Sequence, residues 1–192
     1  MFKKIRMIIL TAATMILLTA CVFELDNAGS MVAGTLKEYR ETVEMSDKYN
    51  RGLPLELNLE MKMAKAVLDS TDEKLADVKF SYSSKALKPE FKVGEDEISI
   101  RNRMEEYSLN KAVNNWDVKI TDKMPLEIEV KADASDARLD MSRMQINSID
   151  AELNASSAKM YFDKQNRMTM GKFRLNADAS SADIYGAGSL DF

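Results

Sequence analysis

Ser156-Ser157-Ala158-Lys159, inside the stretch NASSAKMYF, has the S-x-x-K spacing of serine enzymes that attack β-lactams and cell-wall peptides. Two other stretches, DASDARLDM at 133–141 and DASSADIYG at 178–186, are close relatives of the same motif. Ser156 therefore has equivalents in Ser135 and Ser180, while Lys159 is replaced by Arg138 and Asp183. A nucleophile needs its own base and surroundings found nowhere else in the chain. No S-D-N or K-T-G partner motif accompanies the serine. A triplet that recurs three times is architecture, and no catalytic residue is assigned.

The composition narrows the chemistry further. Histidine is absent and Cys21 is the single cysteine, which excludes His/Cys zinc sites, Ser-His-Asp and Cys-His catalysis and an intramolecular disulfide. Gly is low at 7 residues, and no G-x-G-x-x-G or P-loop pattern is present. No cofactor or metal is expected. Of 27 Lys plus Arg, three (Lys3, Lys4 and Arg6) lie in the first 20 residues, where no acid occurs. The remainder carries 24 bases against 31 acids, a net of −7, which disfavours a nucleic-acid partner.

The first residues, MFKKIRMIILTAATMILLTAC, have a basic start, an apolar stretch from Met7 to Leu18 and then Leu18-Thr19-Ala20-Cys21. This is the order of a secretory signal peptide. The final four residues resemble the lipobox of bacterial lipoproteins. That resemblance implies recognition of Leu18, Thr19 and Ala20 by a signal peptidase, cleavage before Cys21 and a diacylglyceryl group on the Cys21 thiol. Two or three acyl chains hold a protein to a membrane firmly, whereas one is marginal. The expected organisation is a signal peptide over 1–20, a lipidated tether over 21–38 and a folded domain over 39–192.

In the folded part, Leu53, Leu55, Leu57, Leu59, Met61 and Met63 alternate with Pro54, Glu56, Asn58, Glu60 and Lys62, the pattern of a half-buried strand. LADVKFSYS, EFKV and EISI read as further strands, and 101–115 as a helix or a long loop. Aligning Ala134, Ala155 and Ala179 brings Ile128, Ile149 and Phe173 into one apolar column. Val130, Ala151 and Leu175 form the next, and Ala132, Leu153 and Ala177 the third. The residues between these columns are all polar. Beyond the shared serine come Ala137, Ala158 and Ala182, then Leu139, Met160 and Ile184. The repeating unit is strand, A-S-x-A corner, strand, spaced by 21 and then 24 residues, with MAKAVLD at 63–69 a degraded earlier copy. The expected fold is all-β, a solenoid-like stack of short coils. Its structural corners are Ala134, Ser135, Ala137, Ala155, Ser156, Ala158, Ala179, Ser180 and Ala182.

The stretch NNWDVKITDKMPLEIEVKADASDARLDMSRMQINSIDAELNASSAKMYF, continuing to FRLNADASSADIYG, resembles the toast-rack domains of bacterial envelope proteins. That family is all-β and built of repeated short coils. It includes candidate adhesins and proteins of the cell-wall-active antibiotic response. Relatives commonly carry Gly at the corner where this chain has Ala, which predicts corners without positive φ here. An uncapped last coil predicts an exposed strand edge or apolar face, open to self-association or to an envelope protein.

Fourteen methionines suit gap-filling between unequal coils better than copper or redox chemistry. Asp133, Asp136 and Asp140 alternate with apolar residues, as on the solvated face of a strand, and are not read as a calcium site. Tyr161 and Tyr185 fall in one outward column beside Asp140. These features imply a non-enzymatic lipoprotein on the extracytoplasmic face of a bacterial membrane. Its partners are the membrane, through lipid on Cys21, and envelope proteins or a second copy. The alternative is a carrier of lipid or another hydrophobic ligand. The two differ in whether the apolar faces meet each other or a ligand.

Overall fold

The computed structural model describes residues 35–46, 49, 52–104 and 112–191. Leu18, Thr19, Ala20 and Cys21, most of the tether and the middle of segment 101–115 lie outside the described residues.

Period-two alternation produces strands almost throughout. In chain order they are β1 (Lys37–Glu44), β2 (Leu55–Lys62), β3 (Lys65–Thr71), β4 (Lys74–Tyr82), β5 (Glu90–Val93), β6 (Glu97–Arg101) and β7 (Asn114–Thr121). Then follow β8 (Pro125–Asp133), β9 (Asp136–Asp140), β10 (Gln145–Asn154), β11 (Ser157–Tyr161), β12 (Lys172–Asp178) and β13 (Ser181–Tyr185). In β2 the side chains of Leu55, Leu57, Leu59 and Met61 are buried, and Glu56 and Glu60 point to solvent. Leu53 and Met63 do not extend that buried row. Leu53 precedes the strand, across Pro54, and is 54% exposed. Met63 turns to φ +50° and starts a corner. The apolar alternation in the sequence therefore runs past both physical ends of the strand.

The strands form two sheets, ordered β1-β4-β7-β3-β9-β11-β13 and β12-β10-β8-β2-β6-β5. Each coil gives one strand to each sheet, and coils stack in parallel at the strand spacing of about 4.8 Å. The apolar columns read from the repeat are the observed register. Ile128, Ile149 and Phe173 are ladder partners, as are Val130, Ala151 and Leu175, and Ala132, Leu153 and Ala177. The 63–69 copy also falls in register, with Ala66 beside Ala137 and Leu68 beside Leu139.

The order of coils in space departs from their order in the chain. The coil β2/β3 lies between β6/β7 on one side and β8/β9 on the other. Strand β7 wedges between β3 and β4, parallel to the first and antiparallel to the second. The short connection from Thr71 to Lys74 straddles it. Strand β1 then closes this end by pairing antiparallel to β4, starting at Lys37 inside the segment read as tether.

One hydrophobic cluster runs through the stack. Side-chain size falls along a single column: Tyr39, Phe80, Trp116, Ala66, Ala137, Ala158 and Ala182 are successive ladder partners. Aromatic rings fill the β1 end, with Tyr39 stacked on Phe80 at 5.7 Å and Phe80 edge-on to Trp116 at 5.9 Å. Alanines take the place of rings further along. Met61, Met104, Met141, Met144, Met160 and Met170 are all buried, as expected of flexible fillers between unequal coils.

Candidate functional site

The corners are the most regular feature of the molecule. Ala134, Ala155 and Ala179 have φ of +49°, +48° and +48°, which corrects the expectation of corners without positive φ. Left-handed backbone costs an L-residue about 1–2 kcal/mol. The cost is offset by the hydrogen bonds that the bend creates. The amides of Ala134 and Ala155 donate to Asn154 and Asp178 carbonyls of the neighbouring coil, each at 2.9 Å, and Met63 donates to Asp133 in the same way. Ala155→Gly is expected to stabilise the protein by about 0.5–1 kcal/mol, since it removes strain at a modest entropic cost. Ala155→Val is expected to lower stability by more than about 2 kcal/mol, because a β-branched residue tolerates positive φ poorly. Chemical denaturation of the three proteins checks both signs.

The bend directs the next serine inward, where the hydroxyls make a ladder along the stack. Ser156 Oγ accepts the Ser135 amide at 3.0 Å and lies 2.9 Å from Ala132 O and 2.8 Å from Asn154 O. Ser135 Oγ accepts the Ala64 amide at 3.1 Å, and Ser180 Oγ accepts the Ser156 amide at 2.9 Å. Ser135 and Ser156 are buried, and Ser180 is half-buried at the outer coil. The proton of each hydroxyl is aimed at a carbonyl and its lone pair is taken by an amide. Lys159 points outward from β11, between Arg138 and Asp183. The S-x-x-K residues are therefore not brought together as a nucleophile and its base.

Outside this ladder the corners form a shallow open trough of roughly 790 Å³, walled by Ala134, Ala155, Ala179 and their neighbours. Ala137 and Ala158 lie just past the corners with side chains in the core, and Ala182 is partly buried at the last coil. Asp136 is exposed, Asp133 accepts from Asn154 at 2.9 Å, and Asp140 accepts the Ser142 amide at 3.3 Å. The three aspartates are spread along the strands, and no group of acidic side chains among the described residues is placed to hold a metal ion.

Charge is organised across strands. Asp150 accepts from Arg174 Nε and Lys172 Nζ, both at 2.7 Å, which ties β12 to β10. These hydrogen bonds, Arg174 first, hold the Asp150 carboxyl below the usual carboxylate range. Arg40 does the same to Asp77, tying β1 to β4. A carboxyl whose folded pKa is depressed stabilises the fold above its unfolded pKa, and that contribution is lost as pH falls through the folded value. Asp150→Asn is therefore expected to lower the melting temperature slightly at neutral pH, with the difference vanishing in acid. Glu41 behaves oppositely. It faces inward on β1, and burial raises its pKa. On the outer face of the other coil ends, Tyr161 stacks on Tyr185 at 4.9 Å, and the Arg138 guanidinium lies 4.1 Å from the Tyr161 ring centre.

Residues 32–179 match the family described as the N-terminal domain of toast_rack, DUF2154. The chain belongs to this family. Among solved structures, the toast-rack chain resembles a candidate cell adhesion protein from Clostridium sporogenes, at 16% identity and a TM-score of 0.62, covering 79% of this chain and 99% of that one. At that identity the likeness is one of fold. A candidate lipid-binding protein from Parabacteroides distasonis aligns at 11% identity and a TM-score of 0.35, over 79% of this chain and 63% of that one. A candidate adhesin from Bacteroides fragilis aligns at 8% and 0.30, over 79% and 96%. Neither of these two is close enough to bear on this chain. No protein of curated function matches the sequence. The toast-rack assignment accounts for the stacked coils, while the alanines at positive φ and the inserted coil β2/β3 were missed from sequence. Ladder pairing of Lys62 with Asp133 and Lys65 with Asp136 puts Met63 level with Ala134. The repeat therefore held a signal for the earlier corner.

Proposed function

We propose that this toast-rack domain is a non-enzymatic module of a bacterial cell envelope, anchored by lipid on Cys21. Its work is done by contact: structural, adhesive or in the response to envelope stress. The observation that carries this reading is the filled interior. The inward columns of the two sheets pack into one cluster, with Leu55, Leu57, Ile98, Ile100 and Ala151 at 0% exposure. A carrier needs those apolar faces to meet a ligand. Here they meet each other, and the open trough lies outside the corners, lined by corner residues rather than by these faces. The corner serines have their hydrogen bonds taken up by the backbone, which supports a role without catalysis.

The leader supports the anchor. Expression of the full chain in a bacterium fed a labelled fatty acid is expected to place label on the protein in the membrane fraction. Cys21→Ser should abolish the label and leave an uncleaved, longer protein. A labelled Cys21→Ser protein, or an unlabelled wild type, would count against the anchor. Envelope crosslinking of the wild type should then recover protein neighbours.

A further inference from the structure

The two ends of the stack are finished differently. At one end the edge strands are blunted against pairing: β5 has 4 residues and follows Pro89, and β1 turns Glu41 inward. A 3-10 turn at Lys85–Leu87 precedes Lys88, whose ammonium lies 5.6 Å from the Tyr39 ring centre. At the other end, β12 and β13 are edge strands of 7 and 5 residues with no proline and no inward-facing charge. Among the described residues only the approach to β12 is touched, where Asp191 bridges Thr169.

Burial shows the consequence. One coil in, Ile149, Ala151, Leu153, Ala158 and Met160 are at most 1% exposed. Their ladder partners in the last coil are Phe173, Leu175, Ala177, Ala182 and Ile184. Ile184 is 38% exposed, Ala177 is exposed, and the other three are only partly buried. An apolar row of core type thus meets solvent beside two open backbone ladders.

We propose that this edge docks a second copy of the chain, with β12 of each copy lying antiparallel beside β13 of the other. The commitment rests on the chemistry of the two strands. Antiparallel pairing that sets Leu175 against Ala182 of the second copy also sets Phe173 against Ile184 on the inward face. On the outward face it sets Arg174 against Asp183, Lys172 against Tyr185 and Asn176 against Ser181. Each pair is apolar, oppositely charged, cation on ring, or polar. Lys172 would continue the stack of Arg138, Tyr161 and Tyr185 on its open side. In the other two-fold arrangement each strand lies against its own copy, and full overlap of β13 with itself brings Asp183 against Asp183, which is unfavourable. The contact is isologous and closes at two copies, because the blunted β1/β5 end offers no second socket.

The test uses the full chain, extracted from bacterial membranes in mild detergent, with its polypeptide mass measured by light scattering. The expected result is a dimer. Arg174→Asp and Asp183→Arg should each weaken it by at least about tenfold through like-charge contacts. The double variant should recover it. Arg174 and Asp183 lie on different sheets of one molecule, so rescue reports a contact between molecules, and thermal unfolding of each variant separates dissociation from misfolding. A double variant Asn176→Cys, Ser181→Cys should give an oxidised dimer. A monomer at about 100 µM, about a hundred times a micromolar Kd, would overturn the proposal. So would a dimer indifferent to both charge reversals, or a last coil occupied by a different protein.

Discussion

Trp116→Ala is expected to cost about 4 kcal/mol of stability, the middle of the range for a buried aromatic. Trp116 is 2% exposed and stands in the middle of the aromatic end of the core, edge-on to Phe80. Its indole N–H donates to Asn114 Oδ1 at 2.8 Å, and Asn114 in turn reaches the Lys62 carbonyl at 3.3 Å. Truncation would leave a cavity and a buried amide short of a partner at the same time. The position matters as much as the size. Trp116 sits on β7, the strand that wedges between β3 and β4, so the loss falls where the inserted coil is locked in. Denaturant unfolding followed by tryptophan-independent circular dichroism measures it. A loss under about 1 kcal/mol would mean that the wedge is held by its backbone ladder alone.

Ser156→Ala is expected to cost about 2 kcal/mol, with Ser180→Ala costing less than about 1 kcal/mol. The two serines share sequence context and differ in depth. Removing the Ser156 hydroxyl leaves the Ser135 amide unpaired inside the stack and takes a donor from Ala132 and Asn154 carbonyls. At Ser180 solvent reaches the outer coil and replaces part of what is lost, because the residue is only half-buried. A catalytic serine would show the reverse pattern: little effect on stability, and loss of an activity that Ser180→Ala retains. The comparison of the two melting curves therefore separates a corner from a nucleophile.

Much of this fold was legible because a parallel stack writes its register directly into the repeat. Columns such as Ile128, Ile149 and Phe173 are apolar for one shared reason, and counting residues from the corner alanines recovers the ladder. The first strand was not legible. Its inward side reads Tyr39, Glu41, Val43, and a carboxylate in that row hides the alternation. That same carboxylate is part of what blunts the edge. The order of coils was also hidden, since nothing local in β3 or β4 records that β7, about 45 residues later, separates them. The corner backbone misled for a different reason. Gly is the ordinary solution at positive φ, and its replacement by Ala suggested a different bend. The observed bend is the left-handed one, held by interstrand amide bonds and the serine ladder. The unfinished last coil was legible in outline from its position in the repeat. Which chemistry it presents to a partner needed the register.

The central claim is that the apolar faces of this toast-rack domain are spent on each other, leaving its surface for contact. Native mass spectrometry of the protein purified from bacterial membranes tests it most directly. The account predicts the mass of the polypeptide with the acyl groups on Cys21, as one copy or two, and no further lipid retained. A stoichiometric lipid or other apolar ligand that stays bound to the mature protein beyond the acyl groups on Cys21 would contradict it and make the domain a carrier.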